Sequence, residues 1–280
     1  MVLVQARRRW LVSRPYLGLV VLLVSPVLAD DDPQAKHRLK LMEEEVGSLE
    51  AESSELKTKP ALTFASRPLL RYSDPTRGII GSKDNVLLDG SVWRLGNEGR
   101  PTALVTIELY GKSSAPSRLT YEFLALTKTK FSLKHKGGLI PRWEPTESGL
   151  TFKELPEAPK PAATAAARLV QLRQLARRFT VKEKFRGGEV ECRLLTQPID
   201  RYRSEADKIV DGAIFVHVNS TNPEVGVVLE TDGNRWVYGT LRLGGAELTI
   251  ALDGREAAAY RSGTNGSYQY GVHGIIDSVK

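Results

Sequence analysis

A chain of 280 residues, 41% hydrophobic and 26% charged, is long enough for one large domain or two small ones. Its formal net charge of +7 is concentrated at the start: residues 1–29 hold four arginines and no acidic residue, leaving 36 basic against 33 acidic residues, or +3, which gives little reason to invoke a nucleic-acid partner. A lone cysteine, Cys192, excludes an internal disulfide, and His37, His135, His217 and His273 have neither HxxxH nor HExxH spacing, so no metal site and no cofactor is expected.

In chain order, Arg7, Arg8, Arg9 and Arg14 precede an apolar stretch from Tyr16 to Leu28, which ends at Ala29 before Asp30-Asp31-Asp32. A basic start, a short apolar core and small residues before the break describe a cleavable secretory signal, with cleavage after Ala29. The apolar core is shorter than the ~20 residues a spanning helix needs, so membrane contact is expected only through this segment if it stays uncleaved. Arg7-Arg8 also carries the double arginine of a twin-arginine signal, although Ala6 stands where a hydroxyl residue would be more persuasive. The expected location is periplasmic or extracellular.

Residues 34–57 read as a helix. Leu39, Met42, Val46, Leu49, Ser53 and Leu56 recur at spacings of 3 and 4, although Gly47 interrupts them. Residues 30–59 are therefore expected to form a helix lying on the body or standing as a stalk, with self-association through residues 39–56 as the other reading.

The segment DGSVWRLGNEGRPTALVTIELYG at 89–111 is written again as DGAIFVHVNSTNPEVGVVLETDG at 211–233. At a constant offset of 122, Asp89-Gly90 meets Asp211-Gly212, Trp93 meets Phe215, Pro101 meets Pro223 and Glu108 meets Glu230. Alternating apolar residues predict two strands in each copy, joined by a loop at 97–101 or 219–223. Upstream, PLLRY at 68–72 resembles PIDRY at 198–202 at an offset of 130. These matches predict an internal repeat in one apolar phase. Further strands are expected at 118–126, 130–134, 149–155, 235–243 and 247–252, with Gly244-Gly245 as a tight hairpin.

Between the copies lies PEAPKPAATAAARLVQLRQLARRF, whose prolines predict an extended crossover. A helix from Ala163 to Phe179 should follow, with Leu169, Leu172, Ala176 and Phe179 on its covered face and Arg168, Arg173, Arg177 and Arg178 on a solvated one. The expected class is α+β and β-rich: two related antiparallel β units, 60–155 and 188–280, joined by a Pro-rich linker and amphipathic helix at 156–187, with an N-terminal helix. The repeated segment, the run SGLTFKELPEAPKPAATAAARLVQLRQLARRF and the following CRLLTQPIDRY together resemble a set of exported proteins of planctomycete bacteria with no assigned activity. That resemblance covers roughly residues 65–260 and implies a shared architecture, with no site residues carried over.

Candidate chemistry is sparse. Gly111-Lys112-Ser113 looks like the end of a phosphate loop, but Thr106 replaces the first glycine that such a loop requires, and no GxSxG occurs. Glu108 and Glu230 form a possible carboxylate pair for hydrolysis, with solvent-facing strand positions as the simpler reading. Cys192 and His217 are a possible nucleophile and base, or packed strand residues. Trp93, Trp143 and Trp236 are candidates for an aromatic binding surface. Three functions follow: a binding or scaffold module of the cell envelope whose partner is an envelope protein or a glycan, a hydrolase with a site between the repeat units, or an assembly subunit using its N-terminal helix.

Overall fold

The computed structural model describes residues 33–53, 62–78, 86–112, 115–138, 140–185, 187–263 and 267–275; the expected signal segment, residues 1–29, lies outside them. The first half holds α1 (Pro33–Gly47), β1 (Leu49–Glu52), β2 (Leu70–Gly78), β3 (Val86–Leu95), β4 (Ala103–Lys112), β5 (Ala115–Ala125), β6 (Ser132–His135) and β7 (Lys153–Glu154). The second half holds α2 (Ala165–Ala176), β8 (Phe179–Phe185), β9 (Gly188–Leu194), β10 (Asp200–Ser204), β11 (Ile209–Asn219) and β12 (Asn222–Thr231). It continues through β13 (Trp236–Arg242), β14 (Glu247–Leu252), β15 (Arg255–Tyr260) and β16 (Gln269–Ile275). The protein is β-rich, and every pairing among the described strands is antiparallel.

The two Asp-Gly strands behave as the repeat predicts. In β3–β4, Gly90 pairs with Glu108, Trp93 with Val105 and Leu95 with Ala103. In β11–β12, Gly212 pairs with Glu230, Phe215 with Val227 and His217 with Val225. The registers coincide at the offset of 122, and a one-residue slip would have moved every side chain to the wrong face. Trp93 and Phe215 are buried at the same place in their two cores.

The similarity reaches further than the two hairpins. α1 and α2 occupy matching positions at the offset of 130: Ala35, Arg38, Met42 and Val46 correspond to Ala165, Arg168, Leu172 and Ala176. Pro33 opens α1 at a position where a missing N–H costs nothing. Thr164 caps α2 by accepting from the Ala167 amide at 3.3 Å. Each helix is followed at once by a strand, β1 at Leu49 and β8 at Phe179, and these pair with β6 and β14.

Three apolar layers result. Met42, Trp93, Ile107 and Phe123 pack beneath α1, and Leu172, Phe215, Val227 and Trp236 pack beneath α2. Between the sheets, Val92, Leu104 and Leu124 of the first meet Ile214, Val228 and Leu241 of the second. Fully burying one such side chain contributes roughly 1.5–3 kcal/mol, so a sheet covered on both faces is held from both sides.

Several expectations are corrected. The N-terminal helix ends at Gly47 instead of continuing to residue 57, and its seam residues Met42, Val46 and Leu49 lie inside the first core, so it is not a free stalk. α2 is shorter than expected, and Arg168 lies on its buried face with Leu172, Leu175 and Ala176. Gly244-Gly245 makes no hairpin, because β13 pairs with β12 and β7 while β14 pairs with β8 and β15. The tight hairpin falls at Asp253-Gly254, where both residues have positive φ, 50° and 78°. The unit boundaries also interlock: β7 pairs with β13 of the second sheet, and β16 returns to pair with β5 of the first. Of the run expected at 149–155, only β7 is a strand.

Candidate functional site

Each copy is pinned by the same polar fastening. Asp89 accepts from Arg38 Nε of α1 at 3.1 Å and from Arg71 Nε and Nη2 of β2 at 2.9 and 2.6 Å, while Arg71 Nη2 also reaches the Ala35 carbonyl at 2.6 Å. In the second copy Asp211 accepts from Arg168 Nε at 2.9 Å and from Arg201 Nε and Nη2 at 2.9 and 2.7 Å, and Arg201 Nη2 reaches the Ala165 carbonyl at 2.5 Å. The glycine after each aspartate is required by contact: a β-carbon at Gly90 would stand 2.6 Å from the Tyr72 ring, and one at Gly212 would collide with Tyr202. Those tyrosines donate to the glutamates opposite the glycines, Tyr72 to Glu108 at 2.9 Å and Tyr202 to Glu230 at 2.6 Å. Burial, then the adjacent carboxylate, pushes both phenols well above their usual range, so they remain donors.

Glu108 and Glu230 are therefore buried between the sheets, contrary to the solvent-facing expectation, because both faces of their strands are covered. Each is engaged. Glu108 also accepts from Tyr110 at 2.8 Å, and Glu230 receives Arg100 through two bonds of 2.7 Å. Burial opposes the charge on Arg100, but the Glu230 carboxylate outweighs it and raises the guanidinium pKa.

The arginines of the first copy build a different feature at one end of the seam. Arg94 forms a two-pronged pair with Asp200 at 3.1 and 2.9 Å and donates to the carbonyls of Gly96 and Gly99 at 2.7 and 2.9 Å. Burial raises the Asp200 pKa, and Arg94 opposes that rise. The loop after β3 is thus fixed by Arg94, with Gly96 and Gly99 at φ of 92° and 64°. Arg100 lies over the Phe152 ring at 4.7 Å. Around this loop opens a cleft of about 860 Å³ between the two copies. Residues of the loop between Gly96 and Thr102, the run Leu126 to Thr129, and Ser148, Leu150 and Phe152 contribute to its lining from one side, and Ser204, Ala206 and Asp207 from the other. Thr127 Oγ1 is buried without a hydrogen-bond partner among the described residues.

The corresponding end of the second copy is filled. Thr102 matches Glu224, and Thr127 matches Gly244: Leu126 N donates to Thr102 O at 2.9 Å just as Leu243 N donates to Glu224 O at 2.8 Å. The Glu224 side chain lies against Gly244, so a methyl group there would run into its carboxylate. The loop is also closed, because Asn219 pairs with Asn222 across Ser220-Thr221 and the strands extend past a bulge at His217/Val218. Pro223 stands beside that bulge in β12, while Pro101 precedes β4.

The other candidates occupy cores. Cys192 and His217 are both buried, 4% and 1% exposed, and neither lines the cleft. The His217 Nε2 lies 3.2 Å from the Phe179 carbonyl, and Nδ1 has no partner among the described residues. Burial lowers its pKa to about 4, the Phe179 contact opposing the shift, so the ring is neutral near neutral pH. Trp93, Trp143 and Trp236 are 1%, 6% and 1% exposed and provide no aromatic surface. Of the possible phosphate loop at 111–113, Gly111 and Lys112 end β4 and pair with β5, and Ser113 is outside the described residues. No three-member metal-ligating group occurs among the described residues. The cleft residues were missed because, apart from Ser204 of β10, they lie outside the helices and strands and show no periodicity; the Arg-Leu of α1 repeated in α2, at the offset already visible in the Arg-Tyr pairs, could have found only the fastening residues Arg38 and Arg168.

No family model, curated protein or solved structure matches this chain.

Proposed function

We propose that this is an exported binding module of the cell envelope that takes a ligand in the cleft at the seam between its two β units. The observation that carries the reading is the asymmetry: one end of a duplicated body is opened by Thr102 and the Arg94-held loop, while its counterpart is filled by Glu224. A cleft of about 860 Å³ falls within the range of roughly 300–1,000 Å³ used for small ligands. Glu230, which a hydrolase between the units would need free, is engaged by Arg100 and Tyr202.

A fragment library screened by backbone amide NMR tests the reading. Shifts should gather on residues 96–102, 126–129 and 204–207, and Thr102→Trp should remove them. Shifts scattered over the surface would count against the cleft, and turnover of a chromogenic ester or glycoside that disappears in Glu230→Gln would favour the hydrolase. Export is tested by intact-mass measurement of protein made with its first 29 residues in a Gram-negative host. A chain beginning at Asp30 outside the cytoplasm is expected, and full-length protein retained in the cytosol would refute it.

A further inference from the structure

We propose that the cleft accepts a short peptide or another amino-acid-derived zwitterion, with its ammonium near Glu98 and Asp207 and its carboxylate near Lys128; this rests on the binding reading above. The cleft is lined by charges of both signs that do not pair with each other. Lys128 and Glu98 form no ion pair among the described residues, and Asp207 accepts only from within its own turn, from Ser204 Oγ at 2.8 Å. The large cation nearby, Arg100, is already neutralised by Glu230. Exposed charges of both signs on one lining complement a molecule that carries both.

The remaining lining suits the rest of such a ligand. Leu126 and Leu150 supply buried apolar surface. Asn97, Thr102 and Ser204 add polar side chains that can bond a peptide amide or carbonyl. Phe152 is less suited to stacking on a sugar ring, because the Arg100 guanidinium covers one of its faces. A ligand held at both ends should lose affinity when either charge is removed.

Calorimetric titration of the full chain, with amide NMR to locate binding, uses the tripeptide Ala-Leu-Ala, its N-acetyl and C-amide forms, and maltotriose. Free Ala-Leu-Ala should bind and shift Asn97, Thr102 and Thr127, and each cap should weaken binding by about tenfold, the usual scale of one charge-assisted hydrogen bond. Lys128→Gln should weaken the free peptide by the same factor and make the C-amide cap harmless. Glu98→Gln with Asp207→Asn should do the same for the N-acetyl cap. Equal binding of free and capped peptides, or cleft shifts with maltotriose alone, would overturn the zwitterion while leaving the cleft as a binding site. Absence of shifts with every probe would also overturn it, and the fragment comparison with Thr102→Trp would decide the cleft separately.

Discussion

The two copies share a fastening and differ at one end. The Arg–Asp–Arg cluster, the glycine beneath a tyrosine and the Tyr–Glu hydrogen bond recur with nearly the same distances. They recur because each solves the same problem, the attachment of a helix and an edge strand to the middle of a sheet whose faces are both buried. The loops after β3 and β11 solve no shared packing problem, so one is open and the other closed. Structural demand preserves the fastening in both halves, whereas a cleft is needed at only one place.

The largest way to disturb the shared part is to remove its carboxylate. Asp211→Ala removes the carboxylate shared by Arg168 and Arg201, and Asp89→Ala removes the one shared by Arg38 and Arg71. Each is expected to cost about 3–5 kcal/mol, the scale for breaking a buried ion pair from one side. Urea unfolding should find the two losses within about 1 kcal/mol of each other if the clusters are equivalent. A negligible loss in either would end that equivalence.

His217 is the next difference, since the matching position in the first copy is Leu95: Phe64 bridges Leu95 as Leu194 pairs with His217. Its folded pKa, about 4, lies below the ordinary 6.5, so the unfolded chain binds the proton more readily. This group's stabilising contribution is present above about pH 6.5 and is lost as pH falls towards 4. The loss approaches roughly 3 kcal/mol at the low end. His217→Leu should flatten that part of the stability profile, measured by denaturant midpoints from pH 7 to 4; an unchanged slope would place the acid sensitivity elsewhere.

A reciprocal exchange tests the open and closed ends. Glu224→Thr removes a side chain packed on Gly244 and the acceptor of the Asn222 amide, and is expected to cost about 1–3 kcal/mol. Thr102→Glu, made at a loop position, should change stability by less than about 0.5 kcal/mol but abolish ligand shifts in the cleft. If Thr102→Glu destabilises as much as Glu224→Thr, the two ends are packed alike and the comparison fails.

The smallest effect is expected at the thiol. Cys192 corresponds to Leu62 at the offset of 130 and lies in the core beneath α2, so Cys192→Ser should cost about 1 kcal/mol and leave any binding in the cleft within a few-fold of the parent. Complete loss of a discovered activity in the folded variant would restore the nucleophile reading.

Much of the fold was legible in local pattern. Alternation at period two marks β3, β4, β11 and β12, and the offset of 122 reproduces their register because side-chain direction in a strand follows directly from residue parity. The Glu108 and Glu230 reading failed because alternation indicates two faces and cannot say that a second sheet covers the polar one. The N-terminal seam was real over Met42 and Val46 but was read past Gly47, where strand pairing with β6 took over. Of the candidate site, the sequence contained Arg94, Arg100, Thr102 and Lys128 with nothing to relate them to Ser204 and Asp207.

The sequence by itself determined the β-rich class, the paired units, their registers and the helix preceding each, since all of these depend on periodicities and turn residues within a few positions of one another. Only the tertiary structure decided that Arg168 and Arg38 face inward, that β16 returns to the first sheet, and that the two inner faces meet. It alone also decided that Glu224 fills one end of the seam while Thr102 leaves the other open. Those outcomes depend on which surfaces residues more than a hundred positions apart bury against each other, and no local pattern records that choice.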